Sequence, residues 1–275
     1  MFNAEKYIEK AINSILSQEK HSLNYEIIVV DDFSKDNSTK VVKSLNNNKI
    51  KLIELKENQG TAKARNTGLR IAQGKWIQFL DSDDSVCNDL YKKFEMSIKP
   101  EYNCYIFSLI IEYFDYTLKQ RIIEVKDKRV FGHFGGIWNK FIKREICMDF
   151  KPNYSFEDVC FIVDMMKEKD LKVSLIDEAY YFYNRKNNQS KMENFNEKEF
   201  RKMFNYVYSQ IDKSDYLTKM FILRLFINVI FSRKVPFLMS LQIATKTSLK
   251  LYKYLPVLYL NRHDNRVINT KINSL

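Results

Sequence analysis

Hydrophobic and polar positions follow two rhythms over the first hundred residues. Tyr7, Ile8, Ala11, Ile12, Ile15 and Leu16 recur at helical spacing and predict a helix to about residue 18. Asn3 supplies its N-cap and Glu5 an acidic first turn. Glu26-Ile-Ile-Val-Val30 is a short β-branched run, the mark of a buried strand, and it stops at Asp31-Asp32. Ser34 or Asp36 then caps a second helix through residue 45, and residues 50–55 alternate as a strand. Asn58-Gln-Gly60 makes a turn, and residues 61–72 form a helix rich in small side chains, closed by Gly74. A third strand, 76–80, runs straight into Asp81-Ser-Asp-Asp84.

Helix and strand therefore alternate, which predicts an α/β fold with a mostly parallel sheet flanked by helices. The later chain is less regular. Residues 103–113 and 120–125 read as strands of a hairpin-like insertion, 136–146 and 156–167 as helices, and 172–183 as extended. After about residue 188 the pattern is helical throughout. This divides the chain into a domain at 1–188 and a helical extension at 189–275, with no internal repeat and no Gly, Pro or Ser-rich linker.

Composition narrows the class. At 275 residues the chain is long enough for a real core. Its 14% aromatic content argues against disorder, and its 6 Gly and 4 Pro against fibrous or low-complexity classes. Arg224 and the Arg233-Lys234 pair interrupt the best apolar stretches, so no membrane-spanning helix is expected, and the first residues have no signal-peptide core. Cys87, Cys104, Cys147 and Cys160 lack metal-ligand spacing and read as reduced thiols of a cytosolic protein.

The net charge of +11 is concentrated late. From Lys191 onward there are 15 basic and 6 acidic residues, and after Lys219 the sole acid is Asp264. Phe221, Ile222, Leu225, Phe226, Leu249, Tyr252 and Leu255 share helical faces there, near Lys246, Lys250 and Lys253. The pattern fits a helix at an anionic membrane surface. It equally fits amphipathic helices packed on the main domain with a solvated basic face. No nucleic-acid motif accompanies the charge.

Two acidic clusters sit just past the C-terminal ends of predicted strands, the edge where open parallel sheets bind ligands. Asp31-Asp32 and Asp81-Ser-Asp-Asp84 should share one crevice, where unpaired carboxylates repel. A hard divalent ion carrying a phosphorylated ligand would offset them. The plainer reading is that acids end strands and cap the next helix. Between the clusters, Lys63 and Arg65 can reach a phosphate near a helix N-terminus, although the segment matches no Walker or dinucleotide loop.

In order and spacing, Asn3-Ala-Glu-Lys-Tyr7, Glu26-Ile-Ile-Val-Val-Asp-Asp32, Ser34-Lys-Asp-Asn-Ser38, Asn58-Gln-Gly60, Ala64-Arg-Asn-Thr-Gly68 and Phe79-Leu-Asp-Ser-Asp-Asp84 resemble an inverting family 2 glycosyltransferase of the GT-A, Rossmann-like fold, of the bacterial surface-polysaccharide type. Weaker matches are Ile137-Trp-Asn-Lys140, Phe156-Glu-Asp158 and Tyr180-Tyr-Phe-Tyr183. The resemblance implies a nucleotide-sugar donor, commonly a UDP-sugar, and a glycan or lipid-linked acceptor. Asp31 or Asp32 would meet the nucleoside, with Asp81 near the ribose and Arg65 near the donor. Asp81 and Asp83 match the DxD motif that holds Mg²⁺ or Mn²⁺, Asp83 as the direct ligand, and Asp84 would support them. Asp158 matches the catalytic base, with Glu157 as second choice, and Trp138 would line the acceptor side or serve as a core or lid residue.

The chemistry agrees with these placements. Inverting transfer needs a carboxylate to take the acceptor's proton and a cation to stabilise the departing diphosphate. The resemblance also implies a cytoplasmic enzyme at the inner face of the cell membrane. One departure stands out: the family's first strand, which lies between those ending at Val30 and Leu80, is missing. The expectation is an upstream start, or strands that close up or borrow a segment. Otherwise the chain is an inactive sugar-nucleotide-binding or scaffold copy.

Overall fold

The computed structural model describes residues 1–112, 119–123, 136–152, 156–168, 170–184 and 196–214, and beyond these 218, 219, 222, 226, 243–246 and 270–274. Helix α1 spans Ile8–Leu16 and buries Ile8, Ala11, Ile12 and Ile15, the stripe expected from their spacing. Asn3 does not cap it. Its backbone is left-handed (φ 48°), and its side-chain oxygen accepts from the Lys35 amide at 2.9 Å.

Strand β1 (Ile27–Asp31) pairs in parallel with β2 (Ile50–Glu54), helix α2 (Ser38–Ser44) lying between them in sequence. Helix α3 (Thr61–Ile71) leads to β3 (Trp76–Gln78), then to the short β4 (Ser85–Val86) and helix α4 (Leu90–Ser97). The Glu26 carboxylate accepts from Gln73 and Gly74 amides at 2.7 and 3.1 Å, tying the start of β1 to the end of α3. Strand β5 (Cys104–Glu112) is buried on both faces, because Cys104 and Ile106 enter one core and Tyr105, Phe107 and Leu109 another. It pairs with β6 (Lys119–Ile123), β7 (Lys140–Lys143) and β8 (Val173–Asn184). Helix α5 (Glu157–Met166) and helix α6 (Glu197–Gln210) cover the first of those cores.

The α/β alternation stands, but the sheet is mixed rather than mostly parallel. Among the described residues only β1 with β2 and β5 with β8 run parallel; the other pairings are antiparallel. The helix expected over 136–146 is instead strand β7 followed by a 3₁₀ turn, Arg144–Ile146. Phe141 and Ile142 point into opposite cores, which a strand between β3 and β5 allows and a surface helix does not. The uniformly helical extension also needs correction: α6 is helical, but β9 (Thr270–Ser274) pairs antiparallel with β6. Most of the basic, aromatic stretch from 219 to 269 lies outside the described residues.

Among the described residues, β1 and β2 form a sheet of their own and the other strands a second one. The strands ending at Asp31 and Gln78 thus do not close up on each other. Met1 lies along the edge of β1: its amino group donates to the Val30 carbonyl at 2.5 Å, and its carbonyl accepts from the Asp32 amide at 2.9 Å. That is the bonding pattern of one residue of a parallel strand.

Candidate active site

Both acidic clusters lie where the sequence places them, but their residues do different work. Asp31 and Asp32 are buried at the end of β1. Asp31 accepts from the Ser34 hydroxyl and from the Ser34 amide at 3.1 Å, closing a tight turn around Phe33. Asp32 reaches to the next segment: its two oxygens accept from the Gln59 and Gly60 amides at 2.7 and 2.8 Å. The Asn58 side chain adds a bond to the Asp32 carbonyl at 3.2 Å. Gly60 holds φ +85°, the left-handed region that favours glycine, as N-cap of α3. A carboxylate at that helix start offsets the free amides and the dipole. Asp32 thus joins the end of β1 to the start of α3, with the turn Asn58-Gln-Gly60 as its partner.

Arg65 leaves the same helix toward the second cluster. Its guanidinium pairs with Asp81 at 2.7 Å and with Glu157 at 3.0 Å, joining α3, the loop after β3 and the first turn of α5. The side chain is only 14% exposed and Glu157 is buried further, at 6%. Burial alone would weaken the guanidinium's hold on its proton, yet Asp81, Glu157 and Asp158 outweigh it and hold Arg65 firmly charged.

Asp158 is half-buried beside them and takes its own helix's Val159 amide at 2.8 Å. Loss of hydration pushes its carboxyl above the ordinary aspartate value, the Glu157 charge adds to this, and Arg65 opposes it. The Met1 amino group reports the same convergence from the other side. Burial lowers its proton affinity, while Asp31, Asp32 and Asp81 act to raise it and Arg65 to lower it. Charged groups from β1, α3, the loop after β3 and α5 thus lie within electrostatic reach of one another.

The loop Asp81–Asp84 is fixed by β8. Asp84 is buried; it accepts from the Tyr181 hydroxyl at 2.6 Å and from the Asn184 amide at 2.7 Å. The Tyr181 oxygen in turn accepts from the Asp81 amide at 3.2 Å, and the Asn184 side chain donates to the Asp83 carbonyl at 3.2 Å. Burial, then the charges of Asp81 and Asp83, push the Asp84 carboxyl up to about 8.

Among the described residues no three carboxylate, His or Cys side chains enclose a metal ion by themselves. An ion that shares its shell with phosphate oxygens needs only one or two protein carboxylates. The carboxylates of Asp81 and Asp83 are hard oxygen donors of the kind such an ion takes.

Trp138 stands on this wall, stacked at 4.8 Å on Tyr181 and 5.6 Å on Tyr183. Lys63 is not brought to the Arg65 cluster. Two residues along α3 from Arg65, it lines a separate groove with Gln59, Asn66, Arg70 and Asp149. The sequence marked Tyr180-Tyr-Phe-Tyr183 without giving Tyr181 a role, and it did not mark Asn184. Their signal was the alternation of Tyr181 and Tyr183 on one face of β8, legible only once the partner loop is known.

The fold is GT-A. Staphylococcus aureus TarS 1–349, solved in complex with UDP-GlcNAc, superimposes with TM-score 0.66 at 21% identity, over 92% of this chain and 78% of that one. The mannosyltransferase PcManGT from Pyrobaculum calidifontis, in complex with GDP-Man and Mn²⁺, superimposes with TM-score 0.62 at 14% identity, over 97% and 78%. Residues 1–171 match the family described as Glycosyl transferase family 2, and the chain belongs to that family. A Haemophilus influenzae relative described as an uncharacterized glycosyltransferase is 31% identical over 61% of this chain and 70% of its own length. The Escherichia coli UDP-Glc:alpha-D-GlcNAc-diphosphoundecaprenol beta-1,3-glucosyltransferase WfgD is 40% identical over 36% of this chain, which spans 38% of that enzyme.

Proposed function

We propose that this chain moves a sugar from a nucleotide-sugar donor, a UDP-sugar, to a glycan or lipid-linked acceptor with inversion, during synthesis of a bacterial surface polysaccharide. The observation that supports it most is the Arg65 cluster, where a buried cation gathers Asp81 and Glu157 beside a carboxyl of raised proton affinity. Asp158 takes the proton from the attacking acceptor hydroxyl; a base of raised pKa suits that transfer near neutral pH. Glu157 holds Arg65, and Arg65 holds the loop carrying Asp81 and Asp83. Asp83 and Asp81 would hold a divalent ion, Mg²⁺ or Mn²⁺, which would supply positive charge against the departing diphosphate. Asp31 sits toward the nucleoside. Trp138 offers an aromatic face to the acceptor sugar.

Among the described residues no helix is long and apolar enough to cross a membrane. The proposed enzyme works in the cytoplasm, with its basic extension against the inner face of the membrane. Binding to anionic vesicles should weaken with salt, and unchanged binding after deletion of residues 219–275 would remove that part.

The test of the main reading is a panel of UDP-sugars with Mn²⁺, followed by thermal shift and by release of UDP. Wild type should be stabilised and turn over. Asp83→Asn should lose the Mn²⁺-dependent shift, whereas Asp158→Asn should keep it and lose turnover. Binding without turnover in wild type would leave the inert-copy reading standing. No shift with any nucleotide sugar would overturn both.

A further inference from the structure

Lys140 is 1% exposed, the only lysine among the fully buried side chains of the described residues. A buried ammonium is costly, and an apolar side chain of similar length would commonly be more stable there. Its bonds show what the charge holds. Nζ donates to the Gly136 carbonyl at 2.7 Å and to the Asn139 side-chain oxygen at 2.8 Å, so both ends of the turn before β7 meet one cation. Asn139 then clamps β5: its side-chain amide donates to the Phe107 carbonyl at 2.8 Å, and its carbonyl accepts from the Phe107 amide at 3.1 Å.

Phe107 is where β5 and β8 change register, Ile176 pairing with Phe107 and Tyr180 with Ser108. Past that irregularity β8 presents Tyr181 and Tyr183 to Trp138. The turn leaves the indole little freedom, because a Cβ on Gly136 would lie 2.1 to 2.4 Å from its ring.

We propose that Lys140 is a positioning residue of the acceptor wall: its buried ammonium pins the Gly136–Asn139 turn, and the turn fixes Trp138 flat on Tyr181 and Tyr183. The role in transfer rests on the function proposed above; the pin itself does not. Tyr181 carries the same wall to the Asp81 amide and the Asp84 carboxylate, so a loosened turn misplaces an aromatic face next to the donor loop. Burial pushes the ammonium down to about 8 while Cys104 and Asp158 act to raise it, which places Lys140 within the field of the proposed base.

The test uses the full chain with Trp76→Phe, which leaves Trp138 as the one remaining indole of the 2. Acrylamide quenching of its emission is compared for Lys140→Met, Lys140→Arg and Gly136→Ala, each checked for a cooperative melt. Kinetics use a UDP-sugar turned over by wild type and p-nitrophenyl glycosides as acceptors.

Lys140→Met should raise quenching and raise the acceptor KM about tenfold or more, with donor KM and UDP release in water near wild type. Lys140→Arg should restore part of both. Gly136→Ala, whose Cβ would meet the indole directly, should reproduce both while keeping the ammonium and so calibrates a displaced Trp138; Lys140→Gln serves if Lys140→Met does not fold. Unchanged quenching in a folded Lys140→Met, or in Lys140→Gln where that variant must serve, overturns the pin. Raised quenching with both KM values unchanged overturns the role in acceptor binding. If wild type uses no nucleotide sugar, the function fails while quenching still decides the pin.

Discussion

Replacing Arg65 by Met keeps the side chain's length and removes its charge. Glu157, 6% exposed, would then face Asp158 without its cation. Breaking a buried pair from one side costs about 3–5 kcal/mol. The Asp81 arm adds little, because that carboxylate is 35% exposed and water screens it. For a chain of this size the loss corresponds to a melting shift of roughly 10 °C at neutral pH.

The pH dependence identifies the cause. Asp158 already holds its proton more tightly folded than unfolded, and removal of Arg65, which opposes that, must raise it further. A carboxyl raised on folding contributes stability that is intact below its unfolded value and lost as pH climbs through the folded one. The deficit of Arg65→Met should therefore be small at acidic pH and full at slightly alkaline pH. Melting curves of both proteins across that range measure it, and Mn²⁺ with a UDP-sugar should recover part of it. A deficit constant with pH would show that Arg65 acts through packing, and the carboxylate cluster would lose its meaning.

Tyr181→Phe removes the hydroxyl between Asp84 and the Asp81 amide; it should cost about 1–3 kcal/mol in denaturant unfolding and weaken Mn²⁺-dependent UDP-sugar binding. Gly60→Ala meets no atom within 4 Å, so its cost is backbone strain alone, about 1–3 kcal/mol in a thermal melt. Gly68→Ala is a control in the same helix: its nearest neighbours, at 3.6 and 3.8 Å, are side-chain methyls in ordinary contact, and little change is expected. The acid limb of the pH–rate profile should fall above the ordinary aspartate range, because Asp158 must lose a proton its surroundings hold tightly; a limb at the ordinary value would point to a different base.

The first hundred residues declare their elements because each carries its own period and stop signal: Ile8 to Ile15 on one face of α1, and Ile28 to Val30 ending on an acid. Positions 136–146 do not. Phe141 and Ile142 serve different cores, and Asn139 and Lys140 are polar yet buried, so hydrophobicity tracks neither water nor period there. The acidic clusters were legible as the ends of strands, since each follows its own apolar run. The division of labour inside them was not, because Asp32 finds Gln59 and Gly60, and Asp84 finds Tyr181, only across long stretches of chain. Lys63 and Arg65 look alike in sequence, and only the helix's rotation separates them.

Asp32 carries a consequence for comparing relatives. Two main-chain N–H groups depend on its oxygens, and they belong to a glycine turn some thirty positions away. A homologue that changes Asp32 must offer those hydrogens another acceptor or reshape the turn, so substitutions at 32 and at 58–60 should arise together. Invariance at Asp32 would then record the demands of a joint in the scaffold, even where the nucleotide preference has drifted.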